Sequence, residues 1–115
     1  MREIKVENKF DVSSGITVVK FGAEWCAPCK KLAVYLDKLE NEFINYKFIS
    51  VDIDNIPNLA KQYQIRSLPT IIIFKNGNKE KTIVGLPLID SLRKTLREYS
   101  SVVKSTAVDT VQAIL

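Results

Sequence analysis

Trp25-Cys26-Ala27-Pro28-Cys29-Lys30 stands where one sequence pattern gives way to another. Before it, Thr17-Val18-Val19-Lys20-Phe21-Gly22 is a β-branched and aromatic run suited to a central strand, with one charged residue inside it. After it, Leu32, Leu36, Leu39 and Phe43 fall at i, i+4, i+7 and i+11, one face of a helix running to about Glu42 or Phe43. Lys30, Lys31, Lys38 and Glu42 occupy mostly other faces. The two cysteines therefore sit at a strand-to-helix junction.

The rest of the chain extends this alternation. Ile4-Lys5-Val6 is a weak first strand, and Phe10 to Gly15 reads as a turn or short helix closed by glycine. Tyr46 to Ile53 is the strand after the first long helix. Asn55-Ile56-Pro57 opens a short helix, Asn58 to Tyr63, with proline where a missing N–H costs little. Thr70-Ile71-Ile72-Ile73-Phe74 is the most strand-like run. Asn76-Gly77 then signals a hairpin, with Lys79 to Val84 as the antiparallel partner. Leu88, Leu92, Leu96 and Tyr99 mark a last amphipathic helix. The order β-α-β-α-β-α-β-β-α predicts an α/β fold, a mixed central sheet with helices on both faces.

The 115 residues suffice for one domain with one core. Apolar residues at 46% and charged residues at 26% are ordinary for a globular chain, which argues against disorder and a multi-span membrane protein. Ile71 to Phe74 is the longest run of large apolar side chains, far below the ~20 residues a spanning helix needs. Met1-Arg2-Glu3-Ile4-Lys5 lacks the apolar segment of a secretory signal, so the expected location is cytoplasmic. The net charge of +4 is spread among interleaved acids, as in Lys79-Glu80-Lys81, so a mildly basic solvated surface is expected and not a nucleic-acid interface.

Cys26 and Cys29 are the only cysteines, and there is no histidine. A C-x-x-C pair serves zinc sites and redox centres alike, but no second ligand pair exists to complete a zinc site in one chain. A purely structural disulfide is disfavoured, because so short a loop contributes only about 2 kcal/mol, against ~4.7 for a loop of a hundred residues. Redox chemistry suits the placement. At a helix N-terminus, unpaired N–H groups and the positive dipole end favour the Cys26 thiolate, the attacking species in disulfide exchange. Cys29, one turn on, is placed to attack the resulting mixed disulfide. Pro28 is tolerated in the first turn and stiffens the spacer. Trp25 is expected at a partly exposed rim around the sulfurs.

Four segments, Trp25-Cys26-Ala27-Pro28-Cys29-Lys30, Arg66-Ser67-Leu68-Pro69-Thr70, Phe74-Lys75-Asn76-Gly77 and Val84-Gly85, together resemble the thioredoxin family in order and spacing, over roughly Ile4 to Tyr99. The resemblance implies the thioredoxin fold, with Pro69 as a cis-proline facing the cysteines and the Leu68 backbone pairing with an extended substrate segment. A trans proline opening the strand is the plain alternative. It also implies that Gly85 lies beside the same groove, where the simpler reading is a bulge after the hairpin. Three departures stand out. Ala27-Pro28 replaces the commoner Gly-Pro. Gly22 replaces a large aromatic, which is expected to leave the region behind the cysteines less filled. Lys20 takes the place of a buried aspartate, and Ser50 that of the aspartate's lysine partner.

The expected molecule is thus a monomeric protein dithiol–disulfide oxidoreductase. Cys26 attacks, Cys29 resolves, and Trp25, Ala27, Pro28 and Lys20 support them. Trp25, Leu68, Pro69 and Gly85 contact substrate. Its partners are disulfide-containing proteins and a thioredoxin-reductase-type electron donor, with no metal and no cofactor beyond the Cys26–Cys29 disulfide. Lys20 either bears on the sulfurs or extends past the sheet edge to solvent. The alternatives are a disulfide-donating oxidant of the same fold and a binding module in a larger assembly. Residues 1–99 form the domain, and 100–115 an extension with helical apolar spacing, either packed on its own domain, frayed or docking a partner.

Overall fold

The β-branched run around Val18 becomes the centre of a five-stranded sheet. In the computed structural model, which describes residues 1–99, the strands are β1 (Arg2–Ile4), β2 (Ile16–Gly22), β3 (Lys47–Asp52), β4 (Thr70–Lys75) and β5 (Asn78–Val84). Helix α1 spans Ala27–Glu42, α2 spans Pro57–Gln62, and α3 covers residues 89–99. The expected extension over 100–115 lies outside the described residues. Strand order is β1-β3-β2-β4-β5. β2 runs parallel to β3 and antiparallel to β4, with β1 parallel to β3 and β5 antiparallel to β4. A parallel pair cannot be closed by a tight turn, so α1 makes the crossover between β2 and β3.

Strand alternation divides the core in two. Ile16, Val18, Ile71 and Ile73 face Leu32, Leu36 and Leu39 of α1 and Leu92 and Leu96 of α3. Val19, Phe21, Ile72 and Phe74 face Ile56 and Leu59 on the other side, with Tyr63 and Phe10 packed against them. Each of the buried leucines contributes roughly 1.5–3 kcal/mol of burial. Arg93 clamps α3 to the end of α1 through two bonds to Glu42, 2.7 and 2.8 Å long. The Asn76-Gly77 hairpin has both residues at positive φ, 50° and 87°, as a two-residue primed turn requires.

Three local expectations shift. The first strand is Arg2–Ile4, earlier than Ile4 to Val6, because Ile4 is the residue that enters the core, opposite Val51, and Val6 is exposed. The turn after it contains a single 3-10 turn at Glu7–Lys9, and Phe10 to Gly15 is irregular, with Asp11 accepting bonds from the Ser13 backbone and hydroxyl. Leu88 is 77% exposed. It precedes α3, its carbonyl accepting from Leu92 N–H, so its side chain falls outside the buried stripe.

Candidate active site

β2, the central strand, delivers the chain to Ala23 just past its C-terminal end, and the turn that follows closes with Cys26 N–H donating to the Ala23 carbonyl at 3.1 Å. Cys26 is the N-cap of α1. Its backbone is extended, at φ −95° and ψ 105°, and its Sγ accepts from the Cys29 N–H at 3.3 Å. A sulfur thus takes the place of the oxygen that usually caps a helix. Ala27 and Pro28 occupy the first helical positions, and no acidic residue lies in the first turn to oppose the helix's positive end. Cys26 and Cys29 are joined in a disulfide, with their Cα atoms 5.3 Å apart. Both are buried, against Ala23, Ile53 and Leu68.

Beyond Cys26 the surface opens into a groove of about 410 Å³ lined by Trp25, Cys26, Ala27, Pro28, Ile53, Ile65, Arg66 and Leu68. Trp25 is more exposed than a partly covered rim, at 70%, and its Nε1 donates to Asp54 Oδ2 at 2.9 Å. Asp54 is itself held by a bond from its N–H to Asp52 Oδ1. The Leu68–Pro69 peptide bond is cis, and Pro69 is buried. The Pro69 carbonyl accepts from Gly85 N–H at 2.8 Å, which brings Gly85 beside the loop. Gly85 has φ +90° with nothing within 4 Å of where a Cβ would stand. Its backbone geometry, rather than crowding within the chain, calls for glycine there.

Lys20 and Gly22 lie behind the sulfurs. A cavity of about 200 Å³ is lined there by both residues together with Glu3, Cys29, Ser50 and Asp52, among others. The space expected behind the cysteines therefore exists, but not at Gly22 itself. A Cβ at Gly22 would stand 3.1 Å from Cys29 Sγ and 3.2 Å from Cys29 Cβ, so Cys29 already occupies that place. Burial pushes the Lys20 ammonium's pKa below its ordinary value, opposed by the nearby carboxylates of Asp37, Glu3 and Asp52.

The structure places Trp25, Ala27, Pro28 and Leu68 with Cys26 around the front groove and Lys20 with Cys29 around the rear cavity. Pro69 and Gly85 are tied to this region only through the Leu68–Pro69 bond and the Gly85 N–H bond to Pro69. Sequence reasoning gave no site role to Ile53, Ile65 and Asp54, and took Arg66 only as the start of the Arg66-Ser67-Leu68-Pro69-Thr70 segment. Ile65 and Arg66 directly precede the Ser67-Leu68-Pro69 turn, which was the available signal. Among the described residues no cluster of three or more His, Cys, Asp or Glu is placed to hold a metal ion, and no helix is long and apolar enough to cross a membrane.

The arrangement can do one thing well. A helix-capping thiolate with a second thiol one turn away can accept a disulfide and release it reduced. Comparison with known proteins agrees. The thioredoxin family model matches residues 3–98. A thioredoxin of Chlamydia trachomatis is 40% identical over 97 residues, covering 84% of this chain and 95% of that protein. The solved thioredoxin of Plasmodium falciparum superposes with a TM-score of 0.80 at 28% identity, covering 86% of this chain and 99% of that one. That of Trypanosoma brucei brucei gives 0.78 at 30% identity, covering 86% and 89%. With its dithiol–disulfide pair at the N-terminus of α1 and its fold and sequence matched across nearly the whole described chain, the protein belongs to the thioredoxin family and is a protein thiol–disulfide oxidoreductase.

Proposed function

We propose that this oxidoreductase works as a reductant of protein disulfides, with Cys26 attacking and Cys29 resolving. The observation that carries the assignment is the Cys26 N-cap. Its sulfur receives the Cys29 N–H and the positive end of a 16-residue helix, both of which favour a thiolate at Cys26 over one at Cys29. The groove beside Cys26 suits an extended segment flanking the target disulfide. Trp25 and Leu68 offer it apolar contact, and the Leu68 backbone offers an edge for pairing. Gly85, whose missing side chain leaves open space, keeps the other margin of that edge clear.

In this proposal the oxidised Cys26–Cys29 pair is recharged by a thioredoxin-reductase-type donor, and the protein works as a monomer in the cytoplasm, whose reducing thiol poise suits a reductant. The experiment is the reduction potential of the Cys26–Cys29 couple, equilibrated against glutathione. A value at or below about −260 mV supports the reducing role. A value near about −120 mV, where a strong disulfide donor lies, would reverse the direction and make the protein an oxidant.

A further inference from the structure

Alternation along β2 and β3 puts Lys20, Gly22, Ser50 and Asp52 at the α1 end of one sheet face, where Lys20 pairs with Ser50 and Gly22 with Asp52. Cys29, Lys30 and Ala33 of α1 close over them, and the cavity of about 200 Å³ lies between. Gly22 is the gap through which the two sides meet. The point where its Cβ would stand is 3.1 Å from Cys29 Sγ and 3.7 Å from Lys20 Cε. The lysine's last carbon and the buried sulfur thus both lie within 4 Å of one point beside Gly22, with no side chain between them. Cys26 is on the far side of Cys29, toward the open groove.

The charges facing Lys20 come from three elements, Glu3 on β1, Asp37 on α1 and Asp52 on β3, with Glu24 and Lys30 completing the cavity wall. Burial works against the ammonium, and the three carboxylates named as its neighbours work to keep it charged. A thiolate formed at Cys29 adds a further negative charge on the one side of Lys20 that now presents a neutral sulfur.

We propose that the Lys20 ammonium, acting across the Gly22 gap, stabilises the thiolate of Cys29 and so speeds the step in which Cys29 displaces the reduced substrate. Lys20 touches neither substrate nor the breaking bond, so it is a positioning residue that acts through Cys29. In that step the Cys29 thiol gives its proton to water in the cavity. The thiolate then forms the Cys26–Cys29 bond, and the bond between Cys26 and the substrate sulfur breaks. The substrate sulfur leaves with the electron pair and takes a proton from solvent. The two cysteines are oxidised by two electrons and the substrate disulfide is reduced by two. The inference rests on the assignment of Cys29 as the resolving cysteine.

The test places Lys20→Met and Lys20→Arg in a Cys26→Ser background and follows the titration of Cys29 by its ultraviolet thiolate absorbance and by alkylation rate against pH. Lys20→Met should raise the Cys29 pKa by about one unit and slow its alkylation near neutral pH about tenfold. Lys20→Arg, which keeps the charge, should restore most of the rate. In the two-cysteine protein, Lys20→Met should slow release of substrate from the Cys26 mixed disulfide by a similar factor. A Cys29 titration that Lys20→Met leaves in place overturns the proposal, whatever happens to thermal stability. The underlying assignment fails separately, if the parent protein alkylates first at Cys29.

Discussion

Gly22→Ala adds one methyl group at the point where β2 meets the back of the active site, and the structure sets what it should cost. The new Cβ would stand 3.1 Å from Cys29 Sγ and 3.2 Å from Cys29 Cβ, inside the ~3.5–4.0 Å of an ordinary contact. Cys29 is only 2% exposed, and its position is fixed by the first turn of α1, by its bond to Cys26 and by Ala23, Ile53 and Leu68 around the pair. It has little room to give way. Overpacking of this kind costs about 1–3 kcal/mol, and the lost freedom of glycine in the unfolded chain returns roughly 0.5–1 kcal/mol. A net destabilisation of about 1 kcal/mol follows, which in a domain of this size lowers the Tm by about 4–8 °C. Urea unfolding of the oxidised protein should show a lower midpoint with an unchanged slope. A variant as stable as the parent, or more stable, would show that the sulfur yields easily and refute the close-packed reading of this face.

Two further outcomes test other parts of the molecule. Leu36 is fully buried between α1 and the sheet, so Leu36→Ala should cost about 3–5 kcal/mol in urea unfolding, the upper part of the range for leucine truncation. The Glu42 carboxyl is held below its ordinary pKa chiefly by its hydrogen bonds from Arg93. A carboxylate with a depressed folded pKa contributes stability above its unfolded pKa and loses it as pH falls through the folded one. Glu42→Gln should therefore lower the Tm near neutral pH, and thermal melts across pH should show parent and variant converging as pH falls below the ordinary glutamate range.

The strong periodicities were legible because they report burial directly. Leu32, Leu36 and Leu39 mark the inner face of α1, and the unbroken Ile71 to Phe74 run marks a strand covered on both sides. Short or boundary elements were not. Strand β1 has three residues, too few for alternation to show, and its register depends on Ile4 finding Val51 across the sheet. Leu88 fits the helical spacing of Leu92 and Leu96, but it follows Pro87 and caps α3 instead of entering it. At the site, the cysteine pair and the Leu68–Pro69 turn were readable as local motifs. Alternation in β2 also puts Lys20 and Gly22 on one face. That Cys29 fills the space at Gly22 is a contact between a strand and the following helix, set by how closely α1 packs, and no spacing along the chain reveals it.

The central claim is that Cys26 at the N-cap of α1 exchanges with substrate disulfides and Cys29 resolves the adduct. The most direct measurement mixes each reduced single variant, Cys29→Ser and Cys26→Ser, with a disulfide-bonded protein and identifies the covalent adduct by mass spectrometry. Cys29→Ser should accumulate one mixed disulfide through Cys26, because the thiol that would release it is gone. Cys26→Ser should form little, since its remaining thiol does not line the groove where substrate would approach. An adduct that builds faster through Cys29 in the Cys26→Ser variant, with none on Cys29→Ser, would contradict the account.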